Sequence, residues 1–112
     1  MKRNGTKEKI EEELYRRQVG ICKAFANPTR LRILDLVSNG GQPAAEIQTR
    51  LAISKANLSQ HFAILKAAGV LTTYRNGNRV YCQLAIPEVK QACALIRNVL
   101  RAQIRNGRHL AL

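Results

Sequence analysis

The chain has 112 residues, 46% of them apolar, which is enough for one domain with its own core and too little for a separate catalytic domain beside it. Nineteen Lys and Arg against seven Asp and Glu leave a formal charge of +12, a balance that points to a polyanionic partner. No apolar run approaches the roughly 20 residues of a membrane span, and no hydrophobic secretory stretch follows the basic start, so a cytoplasmic protein with no membrane partner is expected. Three cysteines is an odd number, and Cys22, Cys82 and Cys93 contain no CxxC pair, which favours reduced thiols over a disulfide framework.

Residues 1–6 are polar and read as a flexible N-terminus. From Lys7 to about Ala26 the pattern is helical, with Thr6 as a candidate N-cap and Glu11, Glu12 and Glu13 toward the N-terminal half, where the helix dipole prefers acids. Ile10, Leu14, Ile21 and Phe25 mark one apolar face, and Tyr15, Val19 and Cys22 a second. Two faces need more partner than one small core supplies, so this helix is expected to meet a second subunit through Ile10 and Leu14. Asn27-Pro28 then breaks it and starts another helix, with Asn27 as cap and Pro28 in the first position. Leu31, Ile33, Leu34 and Val37 make that second helix nearly all core, up to Asn39-Gly40-Gly41. Pro43 starts a third helix of about two turns, with Ile47 and Leu51 pointing inward, and a short Ala52-Ile53 link follows.

Ser54 to Gly69, SKANLSQHFAILKAAG, reads as one helix with a signed beginning and end. Ser54 is a good N-cap and Gly69 a left-handed stop. Leu58, Phe62 and Leu65 recur at helical spacing, and Ile64 widens that stripe toward the core. The opposite face of the first two turns carries Lys55, Asn57, Ser59 and Gln60, side chains that can donate to phosphates and hydrogen-bond to base edges in a DNA major groove. Two helices joined by so short a turn, the second with the polar face, predict a helix-turn-helix.

Val70–Tyr74 and Arg79–Leu84 flank RNGN, and Asn76-Gly77 is a strong hairpin signal because both central residues of a type I′ turn need positive φ. Val80, Cys82 and Leu84 alternate with Arg79, Tyr81 and Gln83, so one face is expected to pack and the other to stay free. Arg75 and Arg79 flank the tip, which suits phosphate contact at the edge of a minor groove; an ordinary solvated hairpin is the plainer reading. Pro87 opens a last helix running to about Asn106. Val89, Ala92, Cys93, Ile96, Val99, Leu100 and Ile104 form a near-heptad seam in it, with Lys90, Arg97, Arg101 and Arg105 on a different face. A long terminal helix with its own seam is most economically a dimerisation helix, and the first helix is its natural partner. The fold class expected is mainly α with a small β-hairpin wing: four helices, two strands and a fifth helix.

Helix-turn-helix, NG wing and flanking helices together resemble the ArsR/SmtB family of bacterial winged-helix repressors, over about Glu11 to Arg105. KAFANPTRLRILDLV (23–37) is similar to the family's first-to-second helix junction, SKANLSQHFAILKAAGVL (54–71) to its recognition helix, and RNGNRVYCQL (75–84) to its wing. The resemblance implies one winged-helix DNA-binding and dimerisation domain over 7–106, followed by a tail over 107–112. It implies a homodimer on a double-stranded operator with dyad symmetry, repressing until an inducer lowers its DNA affinity. Matching DNA-reading positions are Lys55, Asn57, Ser59, Gln60, Arg75, Asn78 and Arg79. His61 matches the family's recognition-helix histidine and is counted with them, although a hydrogen-bonded place at the edge of the core suits it better than base contact. Val89, Cys93, Ile96, Val99 and Leu100 would join Ile10 and Leu14 at the dimer interface.

The family's metal sites are not written in this chain. The third helix, AAEIQTRL (44–51), holds no Cys or His; the last helix has Glu88 and no histidine before His109, which lies past Gly107; the recognition helix has no cysteine. No metal site and no resident cofactor are therefore expected. Cys22 and Cys93 stay open as core filling, as a redox or persulfide switch, or as a site for a metal or metalloid inducer. A member with no metal or thiol sensing at all is a further reading. A non-specific architectural nucleic-acid binder would fit the charge, but single-strand stacking calls for more aromatic side chains than the 4% present. Two histidines, His61 and His109, with no nearby nucleophile and no phosphate loop, leave nothing from which to build an enzyme.

Overall fold

The computed structural model describes residues 5–107; residues 1–4 and the tail with His109 lie outside the described residues. Five helices and three short strands follow in the order α1 (Gly5–Phe25), α2 (Pro28–Leu36), β1 (Gln42–Pro43), α3 (Ala44–Leu51), α4 (Lys55–Ala67), β2 (Leu71–Asn76), β3 (Arg79–Leu84) and α5 (Glu88–Arg105). α1 begins at Gly5, two residues earlier than expected, so Thr6 lies inside its first turn and does not cap it. Along α1, Glu13 accepts from Arg16 and, at 2.9 Å, from Arg17. Those two bonds, Arg16's first, draw its carboxyl down to about 2.

α2 is capped as its sequence predicts: Asn27 Oδ1 accepts the Arg30 backbone N–H at 3.0 Å, with Pro28 in the first turn. Its buried face is Ile33 and Leu34, continued by Val37, whereas Leu31, expected in the core, is 40% exposed. These residues pack with Ala24 of α1, Ile47 of α3, Leu58 and Leu65 of α4, and Cys82 of β3. Ile64, expected to widen the buried stripe of α4, is exposed, because the core takes only the narrow arc between Leu58, Phe62 and Leu65.

The sheet has three strands, not two, in the order β1-β3-β2. Gln42 pairs with Cys82 and Pro43 with Tyr81, so Pro43 ends a strand in extended conformation and occupies the N-cap position of α3. A two-residue strand carries no periodicity for a sequence to display. Gly41 permits it: a Cβ there would lie 2.5 Å from the Tyr74 hydroxyl. The hairpin turn is also displaced by one residue. Asn76 pairs with Arg79, leaving Gly77-Asn78 as the loop, and Gly77 alone takes positive φ (+65°), as a type II′ turn requires.

The α4 terminus is a Schellman closure. Gly69 takes φ +76°, its N–H bonds Lys66 O at 3.0 Å, and the Val70 N–H bonds Leu65 O at 3.1 Å. On α5 the expected seam divides. Val89 is buried at 5% exposure in the protomer's own core and Cys93 packs half-buried against it, because the first turns of α5 still lie over the domain. Neither is therefore an open interface position. Ile96, Val99 and Leu100 run beyond the core and are exposed, as are Ile10 and Leu14 of α1.

Candidate nucleic-acid interface

The sequence places α4 by anchoring one side of it. Ser54 Oγ accepts the Asn57 N–H at 3.1 Å and starts the helix, while Leu58 and Leu65 are buried and Phe62 half-buried beneath it. A 3.6-residue repeat then turns Lys55, Asn57, Ser59 and Gln60 outward, and all four are exposed. The turn before α4 rests on Ala52 in the left-handed region (φ 52°). Its N–H reaches Thr49 O at 3.2 Å and the Ile53 N–H reaches Gln48 O at 3.4 Å, closing α3 and redirecting the chain within three residues.

Lys55 and Ser59 of α4 line a cleft with Asn78 and Arg79 of the wing, floored by Leu58 and Phe62. Gln48 of α3 lines the same cleft, a polar position that the sequence reading did not single out although it lies on the first helix of the helix-turn-helix. Pairing across the hairpin sets Arg79 opposite Asn76 and Arg75 opposite Val80, so the two arginines project from opposite faces. Arg79 shares its face with the stacked rings of Tyr74 and Tyr81, whose centroids are 5.4 Å apart; its guanidinium lies 5.9 Å from the Tyr81 centroid and 3.8 Å from Glu46 of α3. Tyr81, expected on a free face, is thus half-buried, while Val80, expected to pack, is exposed near the tip.

His61 is half-buried, with Nδ1 at 3.4 Å from Arg30 Nη1. Burial, and then the Arg30 charge, push its pKa below the ordinary imidazole value. Arg30 is a half-buried residue that sequence reasoning missed, since an arginine on a short helix signals nothing until its neighbours are known.

The three thiols have different surroundings. Cys22 is exposed in a shallow hollow with Tyr15, Val19 and Lys23. Cys93 lines a separate apolar cavity between α2 and α5, rimmed by the Asp35–Arg97 ion pair at 3.2 Å, and burial raises its thiol pKa. Cys82 is fully buried, its thiol pushed up to about 12. Among the described residues no three His, Cys, Asp or Glu side chains are grouped as metal ligands would be. No described helix is long and apolar enough to cross a membrane.

An outward polar helix, a left-handed turn before it and a wing beside it define the class of winged helix-turn-helix regulators. A helix-turn-helix domain family matches residues 25–74, from the end of α1 into β2. The chain is 32% identical over 90 residues to the HTH-type transcriptional regulator Rv0081 of Mycobacterium tuberculosis, covering 80% of this chain and 79% of that protein. The crystal structure of Rv0081 superposes with a TM-score of 0.77 at 30% identity, over 83% of this chain and 94% of that one. The arsenical resistance operon repressor of Staphylococcus xylosus is 36% identical over 70 residues, 62% of this chain and 67% of that protein. The homodimeric winged helix-turn-helix domain Mb0332 of Mycobacterium bovis, described as a possible ArsR-family regulator, superposes with a TM-score of 0.77 at 27% identity, over 91% and 94% of the two chains. The chain belongs to the ArsR/SmtB family of winged helix-turn-helix transcriptional regulators.

Proposed function

We propose that the protein is a cytoplasmic, non-enzymatic, homodimeric repressor that reads a dyad-symmetric DNA operator and is released by an inducer. The observation that carries this reading is the shared cleft: a reading helix and a wing tip present Lys55, Ser59, Asn78 and Arg79 to one hollow, on a chain of charge +12. Lys55, Asn57 and Gln60 serve the base edges and phosphates of a major groove, and Arg79 serves the backbone beside it. Dimerisation is supported by the exposed apolar stripes of α1 and α5. It is also supported by the homodimeric state of Mb0332. Two copies related by a two-fold axis would present two reading helices to two half-sites about one helical turn apart.

Fluorescence-anisotropy binding to the DNA upstream of the protein's own gene, beside a scrambled duplex of equal length, tests the reading. Gln60→Ala relaxes the preference for the specific duplex, whereas Arg79→Ala weakens both duplexes alike and reduces the salt slope by about one. Equal loss on both duplexes for both variants would refute this division of labour. No cofactor enters the reading. For sensing, the chain offers Cys22 and Cys93, so the titration is repeated after oxidation, with persulfide, and with zinc or arsenite, using a Cys22→Ser/Cys93→Ser variant as control. Release that the variant abolishes assigns induction to these thiols; unchanged binding leaves them without a sensing role.

A further inference from the structure

We infer that Arg30 is a positioning residue for the DNA-reading helix and acts on it through His61. This inference rests on the DNA-binding reading above. α1 ends at Phe25, and the carbonyls of its last turn have no partners within the helix. Arg30 supplies two: Nε donates to Ala24 O at 2.7 Å and Nη2 to Lys23 O at 3.1 Å. Its backbone N–H is the donor held by the Asn27 cap at 3.0 Å. The remaining nitrogen, Nη1, lies 3.4 Å from His61 Nδ1 on α4, thirty-one residues away in sequence.

Arginine is always charged and has no acceptor, so in this contact Nδ1 must accept and the imidazole proton sits on Nε2. The contact therefore favours the neutral imidazole with its proton on Nε2. Because a guanidinium is planar, its two bonds to α1 dictate where Nη1 points, and hence where the His61 ring must lie. One rigid group therefore joins the end of α1, the start of α2 and the middle of α4. α1 carries the exposed apolar stripe and α4 the reading face, so the link sets the angle between the surface offered to a second subunit and the surface offered to DNA. In a dimer spanning two half-sites, any tilt of α4 is repeated in the partner and spoils the register of both helices. A 3.4 Å bond contributes little to stability, and its consequence is for alignment.

The test compares Arg30→Met, His61→Leu, the double variant and His61→Gln in the full-length protein, on the upstream and scrambled duplexes described above. Thermal denaturation of each variant fixes an assay temperature well below every midpoint. His61→Leu removes the acceptor but leaves the α1 carbonyls capped, and is expected to weaken specific binding about tenfold with scrambled-duplex binding unchanged. The double variant is expected to bind no more weakly than Arg30→Met, since both changes break one link. His61→Gln, which offers an amide oxygen to Nη1, is expected to recover most of the specific affinity. Wild-type discrimination retained in full by His61→Leu, or losses that multiply in the double variant, would overturn the role of Arg30 alone. Failure of the wild-type protein to discriminate the two duplexes would overturn the DNA-binding reading and this inference with it.

Discussion

Cys22, Cys82 and Cys93 show how little residue type says without surroundings. The attacking species is the thiolate, so exposure and pKa together set the rate of alkylation. Cys22 is exposed, Cys93 is half-buried with a raised pKa, and Cys82 is fully buried with its thiol at about 12. Iodoacetamide treatment of the native protein followed by peptide mass mapping is expected to label Cys22 first, Cys93 more slowly and Cys82 only on unfolding. Rapid native labelling of Cys82 would contradict its place in the core. At the same scale, Arg79 is held between the Tyr81 ring and Glu46. That pair is open to solvent and weak enough to exchange for a phosphate.

Among the elements, α4 owes its position to its ends as much as to its buried stripe. Gly69 at φ +76° has open space where a Cβ would go, so replacing it tests backbone strain without steric overlap. Gly69→Ala is expected to destabilise the domain by about 1 kcal/mol, the ordinary penalty for a left-handed alanine, and to lower the thermal midpoint by several degrees, read by circular dichroism. An unchanged midpoint would show that alanine takes this left-handed conformation without cost. Ala52 holds the same conformation with its Cβ in place. The turn that sets α4 at its angle to α3 is thus a strained one, stabilised by the packing on either side.

For the whole molecule, the shape itself bears on function. The radius of gyration is 17.3 Å, against about 13 Å for a compact chain of this length. α1 and the outer part of α5 extend past the core, leaving Leu14, Ile96, Val99 and Leu100 exposed in stripes that a monomer would not keep dry. Val99 is 60% exposed in the protomer, so Val99→Glu leaves the domain core intact while placing a charge in the proposed interface. Sedimentation is expected to show the mass halved, and affinity for the upstream duplex is expected to fall by more than about tenfold through lost bivalency. A dimer unchanged in mass would move the interface elsewhere.

Much of this protein was legible in the chain. Helix caps at Asn27 and Ser54, the stop at Gly69, the apolar repeat of Leu58, Phe62 and Leu65, and the outward polar set are local signals, decided within about one helical turn. They were enough to predict the order of helices, the wing and the outward polar face of α4. Where the reading failed, the deciding contact was remote or aperiodic. β1 forms by pairing Gln42 and Pro43 with Cys82 and Tyr81 far along the chain, Val89 is core because α5 begins over the domain, and the hairpin loop is set by strand pairing that extends to Asn76 and Arg79. The link from Arg30 to His61 joins side chains thirty-one residues apart. Local periodicity encodes which side of each helix is apolar. Which apolar sides meet, and which polar atoms are brought within bonding distance as a result, is decided only when the helices pack.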